Sequence, residues 1–536
     1  MEEVEIVLLL LVLVAALTVL ARRVSVPYPI LMTIGGLVMG LVLSLFPGAP
    51  QVSLAPELVF LLFLPPILFS AAYFTSPHEL KVNARPIGLL AVGLVLVTTL
   101  AVGFVVHTLV PSMGWAAAFA LGAIVSPPDA VSTTAIAQRL GLPRRVVTIL
   151  EGESLVNDAT ALTTLRLAII AVGTGALSVP QATFGFVGVS VGGVACGLIV
   201  GWVVVQVEKR LSDPPVAVLV SLLAPFAAWI PAELLQVSGV LSVVTAGVVL
   251  GRAAPRILTS DTRVLASGVW QMVIFVLNGL VFILIGLQLP TILGELRATW
   301  TPSQLAILAV AVSLTVIVVR MIWVFPATYL PRWLIPGLKE RDPSPPPQIV
   351  VIIGWAGMRG VVSLAAALAL PLTVRPPDGD PFAFPARDLL QFLTFAVILA
   401  TLVGQGLTLP WLIRRLGVGD DGSEQHDEIH AREAANAAAL ERLDELAEEW
   451  PGHLELIDQM RARYRHAAEH LEHEHSDDEG EIPPDQEMID HAAIRQAVID
   501  AQRVAIIDLR DRRVIGDPAV RRVERDLDLE ELRAEG

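Results

Sequence analysis

Up to about residue 416 the chain alternates long apolar runs with short polar connections. A helix needs roughly 17 to 25 apolar residues to cross the hydrocarbon core of a bilayer. Thirteen such runs can be counted, near 4–21, 28–46, 56–74, 87–110, 115–137, 147–171, 184–207, 215–232, 236–251, 267–293, 304–330, 349–373 and 388–413. Alternate connections hold fifteen Lys and Arg residues, among them Arg22, Arg23, Lys81, Arg85, Arg144 and Arg145, whereas the others hold only Arg297, Arg375 and Arg387. By the positive-inside rule this asymmetry puts the N-terminus outside and the C-terminal part in the cytoplasm. The first run has no basic segment ahead of it and no small-residue cleavage site before Arg22-Arg23, so it reads as a retained span rather than a signal peptide.

Two runs are interrupted. The fifth contains Pro127-Pro128, neither of which has an amide hydrogen to donate to a helix, and the twelfth contains Gly354, Gly357 and Gly360 with Arg359 among them. If the seventh run joins two six-run halves, equivalent runs are seven apart, the second half is inverted, and the fifth and twelfth runs are counterparts. Secondary transporters are commonly built from inverted repeats whose discontinuous helices meet near the midplane. Unwound backbone is tolerated at that depth only where it lines a cavity or is buried in protein. The expected fold is therefore an all-α polytopic membrane protein of about thirteen transmembrane helices in two inverted six-helix repeats, with two discontinuous crossing helices.

After Arg415 the pattern becomes that of a water-exposed helical segment. Gly417 to Gly422 form a hinge, and helices are expected near 424–449, 453–474 and 486–514, the last two parted by Pro483-Pro484. The domains are thus 1–416, a transmembrane domain, and 417–536, an acidic cytoplasmic helical tail. Leu440, Leu443 and Leu446 keep an apolar stripe that suits packing within the tail or against a second tail, so a homodimer is expected.

Composition sharpens this division. The chain is 54% hydrophobic with a mean hydropathy of +0.67, outside the range of ordinary globular domains. Its net charge of -15 is the sum of +4 over residues 1–416 and -19 over the tail, where 14 Lys and Arg face 33 Asp and Glu. Such a tail offers no basic footprint for nucleic acid. Cys196 is the only cysteine, which excludes an intrachain disulfide and a cysteine metal site. His466, His470, His473 and His475 stand among acidic residues and read as a solvated helical face, with a pH sensor or a metal site as the functional alternatives.

The candidate chemistry lies between Leu121 and Leu165, where Asp129, Glu153 and Asp158 fall inside apolar sequence. A charged side chain at bilayer depth costs roughly 2.5 to 3.5 kcal/mol, so such residues face the protein interior and mark ion or proton paths. At helical spacing Ser154 and Asp158 share one face, and Glu153 and Asn157 an adjacent one. Removal from water disfavours the charged form of a carboxylate, so a proton and a cation can compete for one buried acid. Arg320 and Arg166 are further arginines within apolar runs. Arg320 is expected to pair with the acidic cluster or with unwound carbonyls, and Arg166 to line an external funnel or reach the interface. Asn278 is expected to bridge helices, and Pro65-Pro66 to kink one.

Seven motifs in order resemble the bacterial sodium/proton exchanger family, within the monovalent cation:proton antiporters. They are LPPILF from Leu64, SPPDAV from Ser126, EGESLVNDATAL from Glu151, SGVLSVVTAG from Ser238, FVLNGLVFILIG from Phe275, GMRG from Gly357 and LVGQGLTLP from Leu402. The resemblance implies a multi-pass protein of the bacterial inner membrane that exports Na⁺, with K⁺ and Li⁺ as alternative cargo, against H⁺ and without cofactor or catalysis. It makes Asp158 the shared proton and cation site, and Asn157-Asp158 the pair found in electroneutral exchangers. It adds Asp129, Ser154 and Glu153 to the binding set, Asp158 and Asp129 as ligands of the transported Na⁺, and Glu153 with Arg359 as a buried ion pair. In many relatives a threonine precedes the first aspartate; here Pro128 brings no hydroxyl. No P-loop is present, so an ion gradient supplies the energy. An intramembrane aspartyl protease is disfavoured because no GxGD surrounds either aspartate. A tail-regulated channel or receptor explains the tail but not the titratable cluster at broken helices.

Overall fold

The apolar runs fold as helices, in a computed structural model that describes residues 2–24, 26–46, 59–175, 179–296, 299–376, 380–420, 422–475, 486–512, 523 and 527. The chain divides into two compact units, Met1–Ser423 and Glu424–Gly536. The main helices of the first unit are α1 (Glu2–Val24), α2 (Tyr28–Ser44), α3 (Leu64–Phe74), α4 (Ala84–Leu109), α5 (Trp115–Val125), α6 (Ala130–Arg139), α7 (Arg144–Thr174) and α8 (Val179–Glu208). They continue as α9 (Pro214–Leu234), α10 (Gly239–Ile257), α11 (Ser260–Leu296), α12 (Pro302–Leu334), α13 (Pro347–Trp355), α14 (Val361–Leu368) and α15 (Arg387–Leu416). Among the described residues nine helices are long and apolar enough to cross a membrane, namely α1, α4, α7 to α12 and α15. The runs expected at 28–46 and 56–74 give shorter apolar helices, and those at 115–137 and 349–373 are each split in two. A short hairpin departs from an all-α fold: Thr373–Val374 (β1) pairs antiparallel with Phe382–Ala383 (β2) in the connection after α14.

Local chemistry sets several helix ends. Thr301 and Gln304 form a reciprocal capping box at the start of α12, and Ser238 accepts from the Leu241 amide at the start of α10. Gly175 ends α7 in the left-handed conformation, with φ +70, which a residue without a Cβ adopts freely. A π-turn over Ala400–Gln405 widens α15 and turns Thr401 inward. The helices fall into two bundles. One gathers α4 to α7 with α12 to α15, and the other α1 to α3 with α8 to α11. In the second bundle α2 and α11 touch backbone to backbone, because a Cβ on Gly36 would lie 2.1 Å from the Ile283 carbonyl oxygen. Small residues permit this approach of helices in a membrane. The outward faces of α8 and α12 carry Val191, Ile199, Trp202, Ile307, Val310 and Ile322, all exposed. Water penalises an apolar belt of this kind, and lipid accepts it.

The second unit holds α16 (Ser423–Glu449), α17 (Leu454–His475) and α18 (Gln486–Asp511). Arg461 of α17 bonds Asp444 of α16 at 2.7 Å and fastens the two helices side by side. His466 is exposed on α17, and the side chains of His470, His473 and His475 lie outside the described residues.

Candidate ion-binding site

The two interrupted runs touch at their breaks. The Asp129 amide donates to the Met358 carbonyl at 2.6 Å, and Thr133 Oγ1 donates to the Ala356 carbonyl at 3.3 Å. Each half-helix leaves unsatisfied amides at its start and carbonyls at its end, with partial charges of matching sign. Asp129 meets the first need. Its Oδ2 accepts from the Ser132 amide at 2.8 Å and from the Ser132 hydroxyl at 2.7 Å. This carboxylate thereby caps α6. Arginines meet the second need. Arg359 Nε donates to the Val125 carbonyl at 3.0 Å and its Nη2 to the Ser126 carbonyl at 3.3 Å, at the end of α5, while Nη1 bonds the Gly357 carbonyl. Arg320 donates to the Ile353 carbonyl from Nε (3.3 Å) and Nη2 (3.1 Å), near the end of α13. Gly360 is required at the crossing, since a Cβ there would lie 2.7 Å from Asp129 Cγ.

Arg320 also binds Glu153, with contacts of 2.5 and 2.9 Å to the two carboxylate oxygens, and both side chains are fully buried. The expected pairing of Glu153 with Arg359 is thereby corrected. Arg359 spends its donors on backbone carbonyls, and α12 is the helix that brings a guanidinium onto Glu153. Both oxygens of Glu153 are taken by this pair, so it stands apart from the carboxylates that remain.

Those carboxylates are Asp129 and Asp158, and they line one cavity of about 500 Å³. Ser154 joins them, its hydroxyl also donating to the Pro128 carbonyl at 3.4 Å. Asn157 does not line the cavity; its amide donates to the same Pro128 carbonyl at 3.4 Å and ties α7 to the break. Glu151, Ser154 and Asp158 follow one another down one face of α7, so the cavity runs from Asp158 towards the Arg144 end of that helix. The second bundle closes it with Tyr28, Ser70, Thr75 and Asn278. Asp158 therefore sits on the seam between the two bundles.

On the far side of Asp158 lies a second cavity of about 330 Å³, lined by Leu162, Thr163, Arg166, Glu233 and Ser238. Arg166 Nη2 bonds the two oxygens of Glu233 at 2.7 and 2.8 Å, joining α7 to α9 across the seam. Asp158 does not line this cavity.

A family profile described as "Sodium/hydrogen exchanger, transmembrane" matches residues 8–415. The chain belongs to the sodium/hydrogen exchanger family. It is 34% identical over 96% of its length to a protein of Mycobacterium bovis named as an uncharacterized Na(+)/H(+) exchanger, covering 93% of that protein. It is also 34% identical to a sodium, potassium, lithium and rubidium/H(+) antiporter of Bacillus pumilus, over 78% of this chain and 63% of that protein. The sodium proton antiporter MjNhaP1 of Methanocaldococcus jannaschii has a similar fold, with a TM-score of 0.61 at 20% identity, over 78% of this chain and 99% of that one. As a sodium/hydrogen exchanger family member the chain is a multi-pass membrane transporter. Of its polar cavity-lining residues, the sequence motifs point to Asp129, Ser154 and Asp158. They do not point to Tyr28 and Ser70, whose place at the cavity comes only from where helices far apart in sequence converge; Glu151 opens one of the motifs and lies on the face of α7 that carries Ser154 and Asp158. Glu233 escapes notice as the partner of Arg166 for the same reason.

Proposed function

We propose that this exchanger trades one monovalent cation for one proton at Asp158, with Asp129 and Ser154 as further oxygen ligands. The observation that carries this reading is the pairing of charges around the crossing. Glu153 is held by Arg320 and Arg359 by backbone carbonyls, whereas Asp158 makes no hydrogen bond or ion pair among the described residues and faces a cavity. A carboxylate so placed can take a proton or a cation, but one at a time, and that competition is the coupling. Sodium is the proposed cargo. The name of the Bacillus relative supports potassium and lithium as alternatives.

Alternating access follows from a site on the seam. The bundle carrying Asp158 rocks against the bundle of α1 to α3 and α8 to α11, exposing the site first through the large cavity and then through the small one. Such motion is that of a thirteen-span inverted repeat, in which two crossing half-helix pairs would give the moving bundle a pseudo-symmetric centre. The basic connections at the Arg144 end of α7 support a large cavity that faces the cytoplasm, with the N-terminus outside and the tail inside a bacterial inner membrane. A homodimer through the second bundle supplies the stationary frame.

Proteoliposomes with a trapped pH dye test the reading. A sodium pulse should move protons in the wild type, unchanged by a membrane-potential clamp, and should move none in Asp158→Asn. Wild-type protein that is folded yet moves no protons with sodium, potassium or lithium would overturn it.

A further inference from the structure

Asn278 stands on α11, in the bundle that faces the carboxylates rather than the one that carries them, and lines the same cavity as Asp129, Ser154 and Asp158. It is 2% exposed, and its side-chain oxygen Oδ1 has no hydrogen-bond partner. The expected helix-bridging role is therefore filled only in part. Asn278 neighbours the Tyr28 hydroxyl of α2, and its carbonyl oxygen is the end of the side chain left without a partner. Buried acceptors without partners are rare, because each has given up water and gained nothing. Asn157 Oδ1 is likewise unpartnered, but Asn157 does not line the cavity.

An amide carbonyl is a neutral, hard oxygen, the donor type that replaces water around an alkali cation in selectivity filters. We propose that Asn278 is a cation ligand supplied by the facing bundle, contacting the ion when it occupies Asp158 from the cavity side. The proposal rests on the reading that Asp158 holds the cation. A proton on Asp158 needs no additional oxygen, whereas a dehydrating cation does. Asn278 thus strengthens the cation half of the exchange and leaves the proton half alone. Being uncharged, it does so without altering the one-for-one exchange. Standing on the other side of the seam, it can serve the ion in only one of the two orientations of the moving bundle. Cation affinity at the large-cavity face is therefore set separately from affinity at the small-cavity face.

The test uses the full chain, with sodium-dependent thermal stabilisation in detergent and sodium-driven proton movement in proteoliposomes. Asn278→Leu removes the oxygen and keeps the branched outline of the side chain. The sodium concentration for half-maximal stabilisation and the KM for sodium at the large-cavity face should both rise about three-fold or more. Maximal rate and the proton dependence should stay within about two-fold. Asn278→Asp, which keeps an oxygen in place, should hold both sodium constants at or below wild type, and it decides the matter if the leucine variant does not fold. Unchanged sodium constants in Asn278→Leu overturn the proposal, as does an Asn278→Asp variant with its sodium constants raised. Asp158→Asn separates the two readings. If sodium stabilises that variant as it does the wild type, the assignment of Asp158 falls; if stabilisation is lost there but normal in Asn278→Leu, only the role of Asn278 falls.

Discussion

Glu153 and Arg320 meet with no solvent access, so each depends on the other for its charge. Breaking a buried pair by removing one partner commonly costs ~3 to 5 kcal/mol, while replacing both by apolar residues of similar volume is often far milder. Glu153→Leu and Arg320→Met should therefore each lower the thermal midpoint strongly, and the double variant should recover much of the loss. A double variant as unstable as the worse single one would show that Arg320 matters for the Ile353 carbonyl instead. Sequence made Asp129 and Asp158 visible because a carboxylate inside an apolar run is costly and must be explained. The resemblance named Arg359 as the partner of Glu153 where the structure has Arg320, and the residues alone had no means to correct it, since both are arginines within apolar runs and the choice depends on which helix leans on α7. Asn278 was hidden more thoroughly. A lone asparagine in an apolar run reads as a helix-bridging group until the cavity around it is seen.

Among the helices, the breaks at Pro127-Pro128 and at Gly357 to Gly360 were legible because backbone chemistry alone enforces them. That the breaks touch was an expectation from run counting, and the Asp129 amide on the Met358 carbonyl is the contact that fulfils it. The hairpin of β1 and β2 was not legible, because two residues per strand leave no alternation to read. The α7 to α9 link through Arg166 and Glu233 was equally invisible, as its ends lie 67 residues apart. The two side chains of this pair are 41% and 35% exposed. Ion pairs so accessible contribute only about 0.2 to 1 kcal/mol. In the proposed rocking of the bundles, a weak tie across the seam suits a closure that opens in each cycle. Arg166→Gln should therefore shift the bundles towards the orientation in which the small cavity reaches Asp158, by about two- to five-fold. Maleimide labelling of Leu162→Cys should quicken accordingly, and that of Thr75→Cys should slow. Equal labelling rates with and without Arg166 would remove the pair from the cycle.

At the scale of the molecule, one carboxylate gathers three elements at the Arg144 end. Asp342 binds Arg145 at 2.6 Å and Arg332 at 2.9 Å, and pairs with Arg85 as well. Burial pushes its carboxyl up, yet the hydrogen bond and charge of Arg145 and those of Arg332 outweigh burial and hold it below its usual range. A group lowered in this way stabilises the fold above its unfolded value of about 3.9 and loses that contribution as pH falls through the folded value. Asp342→Asn should lower stability by about 1 to 3 kcal/mol at neutral pH. Among the arginines, Arg145 acts most strongly on that carboxyl, but its share of the loss is reduced because it is 44% exposed and solvent screens its charge. The gap between variant and wild type should close as pH drops from about 4. A gap unchanged down to the acid limit would assign the effect to packing. Composition sets an acidic C-terminal segment apart from the apolar remainder of the chain, whereas this knot of loop charges leaves no mark on it. The arginines tied to the ends of the broken helices have one more effect. Around the crossing, Asp129, Glu153 and Asp158 set three negative charges against the two positive charges of Arg320 and Arg359, all buried or nearly so. With a single proton or alkali ion aboard, the interior of the moving bundle is neutral; with none, it holds an unbalanced charge that a low-dielectric passage penalises. On the proposed one-for-one exchange, the two arginines make an unloaded return the costly step, so the contacts that mend the broken helices would also guard against leak and leave the loaded passage indifferent to membrane voltage.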